Sequence, residues 1–196
     1  MFKPHAIPPD YFAAGCAGWA ESDRIGCAGL SLGGYVAMEV AAHDPDRVRA
    51  LVLSGATAEP TGIRTAPVRG LAWFLDRFDG ARLDAVNARF FRARFPPAIA
   101  EPIVAGGFWS GGGAVALRAL AGERFAPRLA AYPGPTLLIN GEYDLPFRLS
   151  AGPFARAAQR PRRVRLRGAA HLANLERPAA FDAAIRSFLR DLDAPA

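Results

Sequence analysis

Gly29-Leu30-Ser31-Leu32-Gly33-Gly34 sets a serine among glycines directly after a short apolar run, residues 24–30. Ile25, Cys27, Ala28 and Leu30 give that run the character of a buried parallel strand. Beyond Ser31 the period changes, with Val36, Ala37, Val40 and Ala41 recurring at helical spacing. A strand that turns at once into a helix strains the serine backbone and crowds the positions two before and two after it, where glycine avoids collision. The small Gly33, Gly34, Ala37 and Ala41 would let the helix approach the sheet. Ser31 would stand on a sharp turn with a helix N-terminus aimed at it, an electrostatic setting that favours a developing oxyanion. The competing reading of this stretch alone is a glycine-rich turn with an incidental serine.

A nucleophilic serine needs a base to take its proton and a third group to orient the base. Pro135-Thr136-Leu137-Leu138-Ile139-Asn140-Gly141 reads as a buried strand, and Glu142-Tyr143-Asp144 follows it at the end where open α/β sheets carry their functional groups. Arg163-Val164-Arg165-Leu166 alternates as a strand, and Gly168-Ala169-Ala170-His171 follows as a loop. Asp144 is the expected acid, with Glu142 as the fallback. Of the other histidines, His5 lies in a Pro-rich stretch and His43 ends the helix after Ser31, so His171 is the expected base.

The segments Gly29-Leu30-Ser31-Leu32-Gly33-Gly34, Asp44-Pro45-Asp46-Arg47-Val48-Arg49-Ala50-Leu51-Val52-Leu53, Asn140-Gly141-Glu142-Tyr143-Asp144 and His171-Leu172-Ala173-Asn174-Leu175-Glu176-Arg177-Pro178 together resemble the α/β-hydrolase family, over residues 24–192. The likeness is strongest to the small lid-bearing esterases, enol-lactone hydrolases and carbon–carbon bond hydrolases. It implies an α/β fold with a mostly parallel sheet flanked by helices, the chain order serine, acid, histidine, and no cofactor. Serine at the turn sets the chain apart from the family's dehalogenases and epoxide hydrolases, which place aspartate there. By this resemblance Ser31 is the nucleophile, His171 the general base and then acid, Asp144 the residue that orients the imidazole, and the Leu32 backbone N–H an oxyanion donor.

The family pattern also implies strands and a His-Gly loop ahead of the serine, the loop giving a second oxyanion donor. Residues 1–23 carry Pro4, Pro8, Pro9 and a small-residue stretch with no strand signal, and His5 is followed by Ala6. The expectation is therefore a partial fold lacking the N-terminal strands. Loss of one oxyanion donor lowers the rate by roughly 10²-fold or more. It also leaves residues 25–30 as an exposed apolar strand edge open to homodimer formation or another partner. Arg163, Arg165 and Arg167 would blunt the opposite edge.

Residues 60–131 lose strand character. Leu71, Phe74, Leu75 and Phe78, then Leu83, Val86 and Phe90, fall at helical spacing, where the family inserts a lid. The expected organisation is thus residues 1–59 as the first part of the core, 60–131 as a helical lid and 132–196 as the second part. Trp73, Phe74, Phe108 and Trp109 are expected to line an apolar substrate pocket, or else to form the lid's own core. Gly106-Gly107 and Gly111-Gly112-Gly113 are expected as hinges or helix breaks. Pro178 opens a closing helix with Phe181, Ile185, Phe188, Leu189 and Leu192 on one stripe.

With 51% hydrophobic and 21% charged residues, the 196-residue chain has the composition of a globular domain with a core. Its net charge of +6 comes almost wholly from arginine, Lys3 being the one lysine. The arginines are scattered and accompany no nucleic-acid motif, which argues against a nucleic-acid partner. Cys16 and Cys27 make no disulfide framework, no long apolar run marks a signal peptide or membrane span, and no metal-ligand spacing appears. A cytoplasmic location is expected. The expected function is hydrolysis of a small ester or lactone through an acyl-enzyme on Ser31. The alternatives are a carbon–carbon bond hydrolase with the same triad, and an inactive, truncated hydrolase-like chain, either degenerate or binding a partner through its sheet edge.

Overall fold

Strands β1 (Ile25–Leu30), β2 (Val48–Ser54), β3 (Pro135–Gly141) and β4 (Arg160–Leu166) pair in parallel, in that order, in a computed structural model that describes residues 24–108 and 110–193. Parallel neighbours need crossover connections. Helix α1 (Leu32–His43) joins β1 to β2, and α7 (Leu145–Ala157) joins β3 to β4. Between β2 and β3 run α2 (Thr65–Arg77), α3 (Gly80–Arg94), α4 (Pro97–Gly106), α5 (Ser110–Leu120) and α6 (Ala126–Ala131). The short α8 (Ala173–Glu176) and the long α9 (Pro178–Asp193) close the described chain.

The period-2 alternation of β2 and β3 divides the core between the two faces of the sheet. Leu51, Leu53 and Leu138 pack with Met38 and Ala41 of α1, Leu129 of α6 and Phe154 of α7. Ala50, Val52, Leu137 and Ile139 pack on the other face with Ala173 of α8 and Phe188 of α9. Phe181, Ile185 and Leu192 join that second cluster as expected of the closing stripe. Leu189 does not: it is exposed, because eight residues of helix rotate it roughly 80° away from Phe181.

The exposed edge expected at residues 25–30 is found in the described sheet. The residues there alternate between half-buried and exposed because β1 lies at an edge of the described sheet, whereas every residue of β3 is buried between two neighbours. β4 forms the opposite edge and starts earlier than its alternation implies, at Arg160, with Pro161 tolerated where one side of the strand has no partner. The expectations for residues 1–23, Cys16 and His5 included, lie outside the described residues. Among the described residues no helix is long and apolar enough to cross a membrane.

The segment between β2 and α6 leaves the core and returns to it at one place. Glu59 accepts hydrogen bonds from the backbone N–H groups of Phe125 and Ala126, while Pro60 O accepts from Gly122 N and Thr65 Oγ1. Within it α2 packs on α5, with Ala72 and Ala114 buried. Gly113 permits this approach, since a Cβ there would lie 3.2 Å from Leu75 Cδ1. The triple glycine is therefore no break: Gly111, Gly112 and Gly113 sit inside the first turns of α5. Gly107, at φ 78°, does end α4. Of the stripes read from sequence, Leu71, Phe74, Phe78, Val86 and Phe90 are exposed, while Leu75 and Leu83 are half-buried.

Candidate active site

Ser31 has φ 52° and ψ −119°, the only non-glycine residue at positive φ among those described. Such a conformation costs on the order of 1–3 kcal/mol and persists only where the surroundings impose it. Here Ser31 N donates to Ser54 O at 2.8 Å and Gly34 N donates to Ser31 O at 3.0 Å, pinning the turn between β2 and the start of α1. A Cβ on Gly29 would fall 2.2 Å from Gly33 O, and one on Gly34 2.3 Å from Ala56 Cβ. The crowding expected at Gly33 is absent: beyond its chain neighbours and its own helix backbone no described atom lies within 4 Å of a Cβ there, because Gly33 contributes its backbone, and not its side-chain position, to the contact with Gly29. Leu32 is the first residue of α1, so its N–H has no partner within the helix and points from the helix N-terminus.

Asp144 follows β3 at the N-cap position of α7, where its side chain makes no capping bond, and only 6% of its surface is exposed. Its Oδ2 lies 3.0 Å from His171 Nδ1. That hydrogen bond fixes the tautomer with the proton on Nδ1 and leaves Nε2 free to accept another. His171 is half-exposed while Asp144 is buried, so the pair presents the imidazole and hides the carboxylate. Glu142, the fallback acid, is engaged elsewhere: its Oε2 accepts from Gly168 N at 3.0 Å, bracing the turn before His171.

Four residues that the sequence reading did not single out shape this pair. Gly55, at φ 54°, lies against it, a Cβ there falling 2.9 Å from His171 Cε1. The Phe147 ring stacks on the imidazole with centroids 4.9 Å apart. Glu176 accepts from Ala170 N beside His171, and its other oxygen lies 3.5 Å from Arg94 on α3. Gly141 leaves room for the loop, since a Cβ there would meet Ala170 O. The available signals were Gly55 directly after a buried strand, Phe147 three residues beyond Asp144 on a helix, and Glu176 inside the His171 segment.

Of the aromatic residues expected at a pocket, Trp73 is two-thirds exposed and lines a hollow of about 460 Å³ with Arg69, Ala72, Asp76, Arg118 and Ala121. Ser31, Asp144 and His171 are not among that hollow's walls. Phe74 rests against Phe78, and Phe108 stacks on Phe91, which in turn stacks on Phe95. Trp109 lies outside the described residues. Among the described residues no group of histidine, cysteine, aspartate and glutamate side chains is placed to hold a metal ion.

A parallel α/β sheet whose strained serine opens a helix, with a buried aspartate and a histidine paired beyond the next strands, defines the class of the nucleophile-elbow hydrolase fold. The alpha/beta hydrolase family model matches residues 5–184, and the chain belongs to that family. The fold is similar to a thermophilic esterase from Thermogutta terrifontis, at TM-score 0.70 and 27% identity, over 93% of this chain and 71% of that one. It is also similar to a hydrolase from Pseudomonas aeruginosa PA01, at TM-score 0.70 and 28% identity, over 92% and 69% of the two chains. The enol-lactonase from Burkholderia xenovorans LB400, 24% identical, shares the fold at TM-score 0.66, over 91% and 70%. No curated protein matches the chain.

Proposed function

We propose that this hydrolase cleaves a small ester or lactone through an acyl-enzyme on Ser31. The observation that carries the reading is the 3.0 Å contact between buried Asp144 and His171, which lies against Gly55, next in sequence to Ser54, whose carbonyl oxygen holds the N–H of strained Ser31. In this mechanism Ser31 Oγ attacks the carbonyl carbon and its proton passes to His171 Nε2. Asp144 holds the Nδ1 proton and stabilises the imidazolium. The carbonyl oxygen, now negative, faces the Leu32 N–H at the start of α1, where the helix dipole favours it. Collapse of the tetrahedral intermediate expels the alkoxide, which takes the proton from His171. Water activated by the same imidazole then releases the acid and restores Ser31.

Residues 60–131 act in this reading as a lid that shelters an apolar acyl or ring portion of the substrate. The Arg94–Glu176 pair, which ties α3 to the turn beyond His171, supports the placement of the lid. The likeness to the thermophilic esterase favours the ester class. The test is hydrolysis of p-nitrophenyl acetate, p-nitrophenyl butyrate and γ-butyrolactone by the full chain beside Ser31→Ala. Turnover of an ester or the lactone that vanishes in the variant supports the reading. Turnover that persists in Ser31→Ala removes Ser31 as the nucleophile.

A further inference from the structure

Between α7 and the edge strand β4 lies a hollow of about 380 Å³ lined by Asn140, Arg148, Leu149, Arg163, Val164 and Arg165. Three of its six lining residues are arginines and none is a carboxylate. The register sets this up: Arg163 and Arg165 stand opposite Leu138 and Asn140 of β3, on the face that α7 covers, and α7 presents Arg148 to them. Arg162 points to the other face, where it meets Asp191 and Ser187. Among the described residues Arg148, Arg163 and Arg165 have no ion-pair partner, although most of the chain's ion pairs use arginine. Arg148 Nε is fully buried and has no hydrogen-bond acceptor.

Three like charges gathered around one hollow repel one another, and a buried donor with no acceptor carries a desolvation penalty. A single small ligand relieves both: an anion with several oxygens, whose geometry matches guanidinium forks. We propose that this hollow is a binding site for a small multivalent oxyanion, phosphate or dicarboxylate in chemistry, separate from the Ser31 site. Its floor connects to the candidate active site, since Asn140 Nδ2 donates to Thr57 Oγ1 and Thr57 Oγ1 donates to the backbone oxygen of Phe147, the residue stacked on His171.

Calorimetric titration of the full chain at constant ionic strength tests this, with inorganic phosphate, succinate and acetate as the titrants. The expected result is saturable binding of phosphate or succinate, at least tenfold tighter than acetate and weakened at least tenfold in Arg163→Gln/Arg165→Gln, whose side chains are exposed and whose fold is checked by circular dichroism. Phosphate binding alone assigns the site to phosphorylated ligands, and succinate binding alone to dicarboxylates. Ser31→Ala must bind as the parent does, which keeps this result independent of the catalytic reading. Absence of saturable binding, equal binding of acetate, or binding unchanged in the double variant overturns the proposal.

Discussion

A Cβ on Gly55 would lie 3.0 Å from His171 Nδ1 and 3.1 Å from Asp144 Oδ2, the two atoms that share the hydrogen bond of the pair. The end of β2 thus serves the site by its lack of a side chain. Gly55 N donates to Ile139 O, which binds this backbone to β3 and limits its retreat. Gly55→Ala must therefore push the imidazole aside, and its φ of 54° adds strain of about 1–2 kcal/mol. The expected outcome is at least a tenfold slower reaction of Ser31 with an active-site-directed phosphonate, with the folded circular dichroism spectrum kept and the thermal midpoint lowered. An unchanged rate would place the working imidazole away from Gly55.

Asp144→Asn leaves an amide where the carboxylate held the Nδ1 proton and favours the wrong tautomer. Loss of this orientation in the serine-protease template lowers turnover by about 10⁴-fold, and a fall of about 10³- to 10⁴-fold is expected here. Glu142→Gln keeps an oxygen for Gly168 N and should stay within about threefold of the parent. Paired rate measurements on the two variants check the assignment of the acid. A large loss in Glu142→Gln with little in Asp144→Asn would exchange their roles.

Glu176 is a positioning residue in this account, acting on His171 through Ala170 N and on α3 through Arg94. Glu176→Gln retains an acceptor for the amide, whereas Glu176→Ala removes it. The expected order of phosphonate reaction rates is parent, then Glu176→Gln, then Glu176→Ala, the last slowed at least tenfold. In NMR titrations the His171 ring resonances of Glu176→Ala should shift while those of His43 stay in place. Equal rates for the alanine and glutamine variants would show that the Ala170 bond contributes nothing to His171.

Tyr35 and Tyr132 are buried hydroxyls whose ionisation opposes the fold at alkaline pH. Burial, the largest cause, pushes the Tyr132 hydroxyl from 10.0 up to about 12, and burial likewise pushes Tyr35 well above the usual tyrosine range. Their hydroxyls donate to Val48 O and Ala58 O. The folded state holds these protons more tightly than the unfolded chain, so the associated stability is full below pH 10 and is lost as pH rises toward 12. Thermal midpoints should fall steeply across that interval and less steeply in Tyr132→Phe. An identical slope in the variant would assign the alkaline transition to other groups.

The sequence made the elbow, the parallel strands, the closing helix and the Asp144–His171 pairing legible for one reason: each follows from local chemistry and chain order. Glycine beside serine after an apolar run has few uses, and strand ends are where such folds carry reactive groups. The parts that escaped are relationships between elements. Gly55 and Gly141 matter because a distant loop passes over them, and no local pattern encodes that loop. The helical stripes of residues 71–90 gave the helices but not their facing, because α2 turns Ala72 and Leu75 toward α5 and leaves Leu71, Trp73 and Phe74 outside. Arg163 and Arg165 read as charges that protect a strand edge, and only the placement of Arg148 on α7 shows that they share a hollow.

Intact-mass detection of a fluorophosphonate adduct on the purified full chain, beside Ser31→Ala, tests Ser31 as the nucleophile most directly. One adduct per chain is expected in the parent and none in the variant, with Asp144→Asn reacting far more slowly. A folded parent that forms no adduct, or a Ser31→Ala variant that labels as the parent does, would contradict this role.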